Sequence, residues 1–376
     1  MKPLKYLFIS SMLFVATSCG NSWLDLEPST SVDTETSIKI LSDVEFTLNG
    51  IYSTMQSSDA YSGRLVYYGD VTGDDMQAVS STKRVANYYR FNFTKDDNPS
   101  SHWSYLYSII QNCNLILMNI DKLVIDEDDK AYRDDLKGEA LAIRGLALFD
   151  LTRIFGYPYL KDNGASLGVP IIEGLSTIDS KPTRNTVAQC YTKIIDDLTQ
   201  SLSLLGEKFN KGKINKWGAM VLLSRVYLYK GENANALKMA SDAIIGAEKN
   251  KYALWTNEDY PTAWGEDASA SKPGEVLFEI VNLTTDSPGK ESMGYLNSYD
   301  GYDDMCITCS FYQFLKEDPK DIRLKLLSFD KKYYAYVNKY QPQREENIED
   351  ANIPLIRLSE AYLNAAEAAV KENDND

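Results

Sequence analysis

Histidine is almost missing from this chain, since His102 is the only one among 376 residues. No HExxH, GxGxxG or Walker-type run occurs either, so zinc-peptidase, dinucleotide and P-loop chemistry have no foothold. Basic residues are short as well, with 39 Lys+Arg against 54 Asp+Glu and a formal net charge of −15. A surface of that sign repels phosphate backbones, which argues against nucleic acid as a partner. Cysteine is scarce at five residues. What is present is ordinary globular composition, 44% hydrophobic and 25% charged, which rules out disorder, collagen and a polytopic membrane protein and leaves enough chain for a sizeable core. Aromatic residues stand out, with 26 Tyr and 5 Trp.

The first eighteen residues have the form of a secretory leader. Lys2 and Lys5 precede a run from Tyr6 to Ala16 that is apolar apart from Ser10 and Ser11, and Ala16-Thr17-Ser18 lead directly into Cys19. The run is about eleven residues, well below the roughly twenty needed to cross a bilayer, so it suits cleavage rather than anchoring. Small residues ending on a cysteine resemble the lipobox of bacterial lipoproteins. That resemblance implies lipidation of Cys19 and a membrane anchor, each buried methylene contributing roughly 0.8 kcal/mol. An ordinary signal peptide with an incidental cysteine is the alternative. Residues 19–35, with Pro, Ser and Thr and little periodicity, read as a tether, and 36–376 as a single domain.

Four cysteines remain. Cys306-Ile-Thr-Cys309 is one CxxC without a second pair and far from His102, so it reads as a local disulfide or unpaired thiols rather than a metal site. Cys113 and Cys190 fall in helical apolar patterns and read as small buried hydrophobes.

Helical periodicity recurs over Ile38–Met55, Trp103–Leu123, Ala131–Phe155, Thr186–Leu205, Lys216–Lys230 and Ala234–Ala247. The fold class is mainly α, with long irregular loops and a few short β-strands. Glu275–Asn282 and Lys331–Tyr340 favour strand through aromatic and β-branched residues. Residues 59–98 and 252–310 read as two long, mostly irregular excursions, and such loops carry function more often than short ones.

One helix pair has a tetratricopeptide signature. Counting Tyr227 as the eleventh position of the roughly 34-residue repeat puts Leu223 and Ser224 at the seventh and eighth, and Ala236, Ala240 and Ala243 at the small positions of the second helix. Leu358-Ser-Glu-Ala-Tyr362-Leu363 repeats the pattern of Leu223–Leu228, so Ile353–Val370 reads as another first helix. A first helix cannot bury its stripe alone. The expectation is that the chain is truncated after Asp376, or that another segment covers that stripe.

These segments together resemble the SusD/RagB family of bacterial outer-membrane lipoproteins. The resemblance runs through Trp23-Leu-Asp-Leu-Glu-Pro28, Trp103-Ser-Tyr-Leu-Tyr107 with Asn112-Cys-Asn114, and Glu139-Ala-Leu-Ala-Ile-Arg144 with Phe155-Gly-Tyr-Pro158. It continues through Gly168-Val-Pro170, Ile194-Ile-Asp-Asp197, Leu222-Leu-Ser-Arg225-Val-Tyr227 and Ile353-Pro354 to Glu367. Each piece is weak alone, and their order across nearly the whole chain is specific. The departure is the ending, because the family continues beyond this last helix. The resemblance implies a surface-exposed outer-membrane lipoprotein that binds an oligosaccharide or polysaccharide, or in some branches a peptide. Its partner would be a SusC-like TonB-dependent transporter, with tetratricopeptide helices as scaffold, irregular loops as ligand site and no catalysis.

Sugars present apolar C–H faces ringed by hydroxyls, so a site needs aromatic platforms with planar polar groups at their rim. The two irregular stretches supply Tyr61, Tyr67, Tyr68, Asp75 and Arg84 in the first and Trp264, Tyr295, Tyr299 and Tyr302 in the second as candidate ligand-binding residues. Loop packing is the competing role for each. Trp103, Tyr107, Phe149 and Trp217 read as core, and His102 as a capping or solvated residue at a helix start. No cofactor is expected. Asp126-Glu-Asp-Asp129 lacks the oxygen spacing and glycine of an EF-hand loop, so it reads as a solvated loop before a calcium site. Arg144, Arg225 and Glu360 suit inter-helix ion pairs. A glycoside hydrolase, needing two close carboxylates, is the reading from another class.

Overall fold

A computed structural model describes residues 37–94, 100–176, 179–265, 273–332, 334–342 and 347–372. The leader, Cys19 and the tether lie outside these residues. Within the unit beginning at Ile40, the scaffold is a row of helices. These are α1 (Leu41–Met55), α4 (Ser100–Asn119), α5 (Lys130–Phe155), α6 (Val187–Leu204), α7 (Lys216–Lys230) and α8 (Asn233–Lys249), closed by α11 (Leu358–Glu372). Each packs on the next, α4 on α5 through to α7 on α8, and α11 lies against α8 and α7.

Local chemistry sets the ends of these helices. Thr186 caps α6 with a reciprocal box, its Oγ1 accepting from Gln189 N while the Gln189 side chain accepts from Thr186 N. Gly231 ends α7 in the left-handed conformation at φ +81°, which lets its N–H reach Leu228 O at 3.1 Å. The run Glu127–Asp129 forms a 3₁₀ turn at the start of α5, where negative charge favours the helix dipole, and Glu127 accepts from Lys130 at 2.7 Å.

The repeat signature is realised in packing. Ala236, Ala240 and Ala243 are fully buried, and Gly246 takes the Trp217 ring so closely that a Cβ would sit 2.0 Å from Cζ3. Arg225 spans to α11 by a two-pronged pair with Glu360 at 2.6 and 2.7 Å, and Asn364 Nδ2 donates to Ser224 Oγ at 2.9 Å. In mid-scaffold, buried Arg144 donates to both Asp197 oxygens at 2.7 and 2.8 Å and to Asn114 Oδ1 at 2.8 Å, joining α5 to α6 and α4.

The irregular stretches contain more structure than their patterns suggest. The first holds α2 (Arg64–Val71), β1 (Met76–Ala78) and α3 (Ala86–Tyr89). The second holds β2 (Val276–Ile280), α9 (Met293–Leu296) and β3 (Met305–Ile307), followed by α10 (Cys309–Lys316), β4 (Leu327–Phe329), β5 (Ala335–Val337) and β6 (Ile353–Arg357). The described strands form three two-stranded antiparallel ladders, β1–β3, β2–β6 and β4–β5. Of Lys331–Tyr340, Ala335–Val337 is strand.

One expectation is corrected. Residues 353–357 are strand β6 rather than the start of a helix, because they pair with buried β2, Ile353 opposite Ile280. Ile353 precedes Pro354, and the residue before a proline is pushed from the helical toward the extended region.

Candidate ligand-binding site

The β1–β3 ladder is what brings the two irregular stretches together. Met76 pairs with Ile307, Gln77 with Cys306 and Ala78 with Met305, and Val79 N donates to Asp304 O at 3.2 Å just beyond. On the β3 side the chain from Tyr295 to Asp304 folds back on itself. Tyr302 N donates to Tyr295 O at 3.0 Å, and Asp304 N to Leu296 O at 3.1 Å. Gly301 permits this, since a Cβ there would lie 2.0 Å from Tyr295 O. The fold-back sets the Tyr295 and Tyr302 rings edge to face at 5.0 Å.

Segment 83–93 reaches this turn through Lys83 and Arg84. The Arg84 guanidinium carbon sits 3.7 Å from the Tyr302 ring centroid, with Nη1 donating to Asp304 at 3.2 Å and Nη2 to Glu291 at 3.5 Å. Lys83 Nζ donates to Tyr302 O at 2.6 Å. Burial alone would pull Arg84 down, but Asp304, Glu291 and Tyr302 together hold its guanidinium above its ordinary pKa. Burial pushes Asp304 up against the opposing pull of Arg84 and Lys83. The result is a tyrosine ring stacked under a fixed guanidinium that is itself held by carboxylates, a planar aromatic and polar group of the kind that can meet a sugar ring and its hydroxyls.

The same segment carries an aromatic ledge. Tyr68 meets Tyr88 at 5.5 Å and Phe93 at 6.2 Å, and Phe91 meets Phe93 at 6.2 Å. Phe91 is 64% exposed and has φ +54°, a left-handed conformation unusual for a bulky residue.

Of the residues singled out from sequence, Arg84, Tyr295 and Tyr302 come together. Tyr299 lies on the same turn, 46% exposed, its ring 5.8 Å from Tyr336. Tyr68 is half-buried under the ledge. Tyr61 is 4% exposed and donates to Asp150 at 2.7 Å, so its ring belongs to the core, as does that of Tyr67. Trp264 is also buried, packed on Trp255 at 5.0 Å with Arg357 and Lys339 over its ring. Asp75 is exposed and lines a different cavity. Lys83, Glu291, Asp304, Phe91 and Phe93 were missed. The Lys83-Arg84 pair in an acidic chain and the Phe-x-Phe alternation were the available signals.

His102 is fully buried rather than solvated, with Nδ1 3.0 Å from Asp59 O and its ring 5.9 Å from that of Tyr68. Burial lowers its pKa against the opposing pull of the Asp59 backbone and carboxylate. Gly164-Ala-Ser-Leu-Gly168 has GxSxG spacing, but Ser166 hydrogen-bonds to Asp162 in a loop and no strand-to-helix elbow forms. Phe149 and Trp217 are buried, while Trp103 and Tyr107 are half-buried and lie against each other at 4.9 Å. Cys113, Cys190 and Cys306 are buried free thiols, and Cys309 is an exposed one. Among the described residues no three His, Cys, Asp or Glu side chains gather as a metal would require.

A sequence model of the SusD-like family, described as starch-binding and associating with the outer membrane, matches residues 22–228. The chain belongs to the SusD-like family. A SusD-like protein of Formosa agariphila is 28% identical over 313 residues, 80% of this chain and 57% of its own length. The chain thus spans little more than half of that relative. Among solved structures, a candidate sugar-binding protein of Bacteroides vulgatus is 83% identical with a TM-score of 0.89, over 90% of this chain and 76% of that one. A SusD superfamily protein of Bacteroides thetaiotaomicron is 36% identical with a TM-score of 0.83, over 90% and 77%. Among the described residues of this SusD-like protein no helix is long and apolar enough to cross a membrane.

Proposed function

We propose that this SusD-like protein captures an oligosaccharide or polysaccharide on the face built by Arg84, Tyr295, Tyr299 and Tyr302. It passes the glycan to a TonB-dependent outer-membrane transporter of the SusC type. The observation that carries the reading is the Arg84 guanidinium held over the Tyr302 ring, 3.7 Å from its centroid, by Asp304 and Glu291, a pre-organised stack of ring and planar donor. The family description and the similar Bacteroides vulgatus protein support glycan as the ligand class. Lipidation at Cys19 anchors the chain in the outer membrane facing the exterior. The role is binding, with no catalytic step.

Isothermal titration of the purified protein against a panel of polysaccharides, oligosaccharides and a peptide digest tests this. One glycan binds, and Arg84→Ala and Tyr302→Ala each weaken it by about tenfold or more, a loss of ~1.4 kcal/mol. Wild-type affinity in both variants overturns the assigned face, and binding of peptides alone overturns the ligand class.

A further inference from the structure

Away from Arg84 and Tyr302, a cavity of about 340 Å³ opens among α2, β1, α9, α10 and the β4–β5 ladder. That volume is at the low end of the roughly 300–1,000 Å³ of small-molecule sites. Its floor is buried and mostly apolar, made of Met76, Met293, Met305, Leu315 and Leu326, with buried Asn297 among them. Methionines adapt to the shape of an apolar guest and make favourable sulfur contacts with aromatic rings.

The rim carries charges of both signs. Asp70 and Asp75 are exposed and, among the described residues, neither carboxylate is in an ion pair. Half-buried Lys339 has no carboxylate within salt-bridge distance there either, and its Nζ lies 5.1 Å from the Trp264 ring centroid. Arg323, the fourth rim charge, is already held by Asp321 through both carboxylate oxygens. The rim therefore offers a cation and two carboxylates that no close ion pair among the described residues holds, although Asp70 attracts Lys339 and Asp75 attracts Arg323 at longer range. Burial, with the nearby Arg357 and Arg323 charges, pulls the Lys339 amine below its ordinary pKa although Asp70 opposes them, so a bound anion would relieve a cost the free protein carries.

We propose that this cavity is a second ligand site that takes a free α-amino acid with an aromatic or branched apolar side chain. The side chain lies on the methionine floor, the carboxylate meets Lys339, and the ammonium meets Asp70 and Asp75. A neutral sugar would leave the rim charges unanswered, and a fatty acid would leave the two carboxylates facing an apolar chain. The site is distinct from the proposed glycan face, since neither Arg84 nor Tyr302 lines it.

The test is titration of the full chain with L-phenylalanine, phenylacetate and 2-phenylethylamine, the last two each lacking one charge. L-phenylalanine binds about tenfold or more tightly than either analogue, and Lys339→Met weakens it by about tenfold while Arg84→Ala leaves it within about twofold. A thermal melt of each variant checks folding. Should Lys339→Met fail to melt cooperatively, the Asp70→Asn/Asp75→Asn pair gives the same readout from the other side of the zwitterion. The proposal is overturned if L-phenylalanine does not bind at millimolar concentration, if it binds no better than the analogues, or if the folded charge variants retain wild-type affinity.

Discussion

Arg84 lies over the ring of Tyr302, 3.7 Å from its centroid, although the two residues come from opposite halves of the chain. Asp304 and Glu291 hold the guanidinium in place, so the ring and the donor meet a ligand already aligned. The pair is the centre of the candidate glycan face, and its geometry leads to the first prediction.

Arg84→Lys will not restore glycan affinity. A lysine keeps the charge but loses the planar fork that stacks on Tyr302 while reaching both carboxylates. Affinity falls about as far as in Arg84→Ala, measured by titration, with the melting midpoint of the two variants alike.

Gly301→Ala will damage the same face through the backbone. Its Cβ would lie 2.0 Å from Tyr295 O, so the fold-back must open and carry Tyr302 away from Arg84. A stability loss of about 1–3 kcal/mol is expected, as for other forced overpacking. Loss of glycan affinity beyond that of a control variant of equal stability, compared by titration and urea unfolding, is the decisive reading.

Arg144→Met will cost stability rather than binding. It strands buried Asp197, whose remaining partner Lys193 at 3.3 Å is shared with Glu173. Breaking one side of a buried pair costs about 3–5 kcal/mol, whereas replacing both sides by apolar groups is often neutral. Urea midpoints of Arg144→Met and of Arg144→Met/Asp197→Leu should therefore differ, the double variant being the more stable.

Glu139 makes stability fall as pH rises. It is buried beneath Tyr52, whose hydroxyl donates to it at 2.7 Å, and burial above all pushes its pKa from the ordinary 4.5 to about 7. Below about 4.5 the carboxyl is protonated in both states and its contribution to stability is fully present. Between there and about 7 the folded state holds a proton that the unfolded state has lost, so the contribution drains away and is gone above about 7. The loss is at most roughly 3 kcal/mol. Unfolding of the wild type and Glu139→Gln at about pH 5 and pH 8 checks it, because the variant lacks this component.

Much of the scaffold was legible because helix signals are local. Lys216–Lys230 reads as a helix from its own apolar spacing and ends at Gly231 for a reason contained in one residue's backbone freedom. Inter-helix pairing was legible too, as Arg225 and Glu360 stand at matching positions of a recurring frame. The small residues Ala236, Ala240 and Ala243 mark close helix approach in the sequence itself. The ladders were not legible in the same way. Met76–Ala78 is three residues with no strand pattern, and it becomes a strand only because Met305–Ile307 lies beside it. Ile353–Arg357 shows the reverse, a segment with helical appearance made extended by its partner β2.

The candidate site divides along the same line. Sequence by itself determined that the chain is mainly helical, acidic and rich in aromatic loops, since these follow from composition and from interactions within a few residues. It placed Tyr61, Tyr67 and Trp264 beside Tyr302 as equals. Only the tertiary structure separated them, burying the first three and leaving Tyr302 under Arg84. Exposure and ring pairing depend on which distant segments a ladder aligns, and hydrogen bonds between residues more than two hundred positions apart leave no period in a sequence.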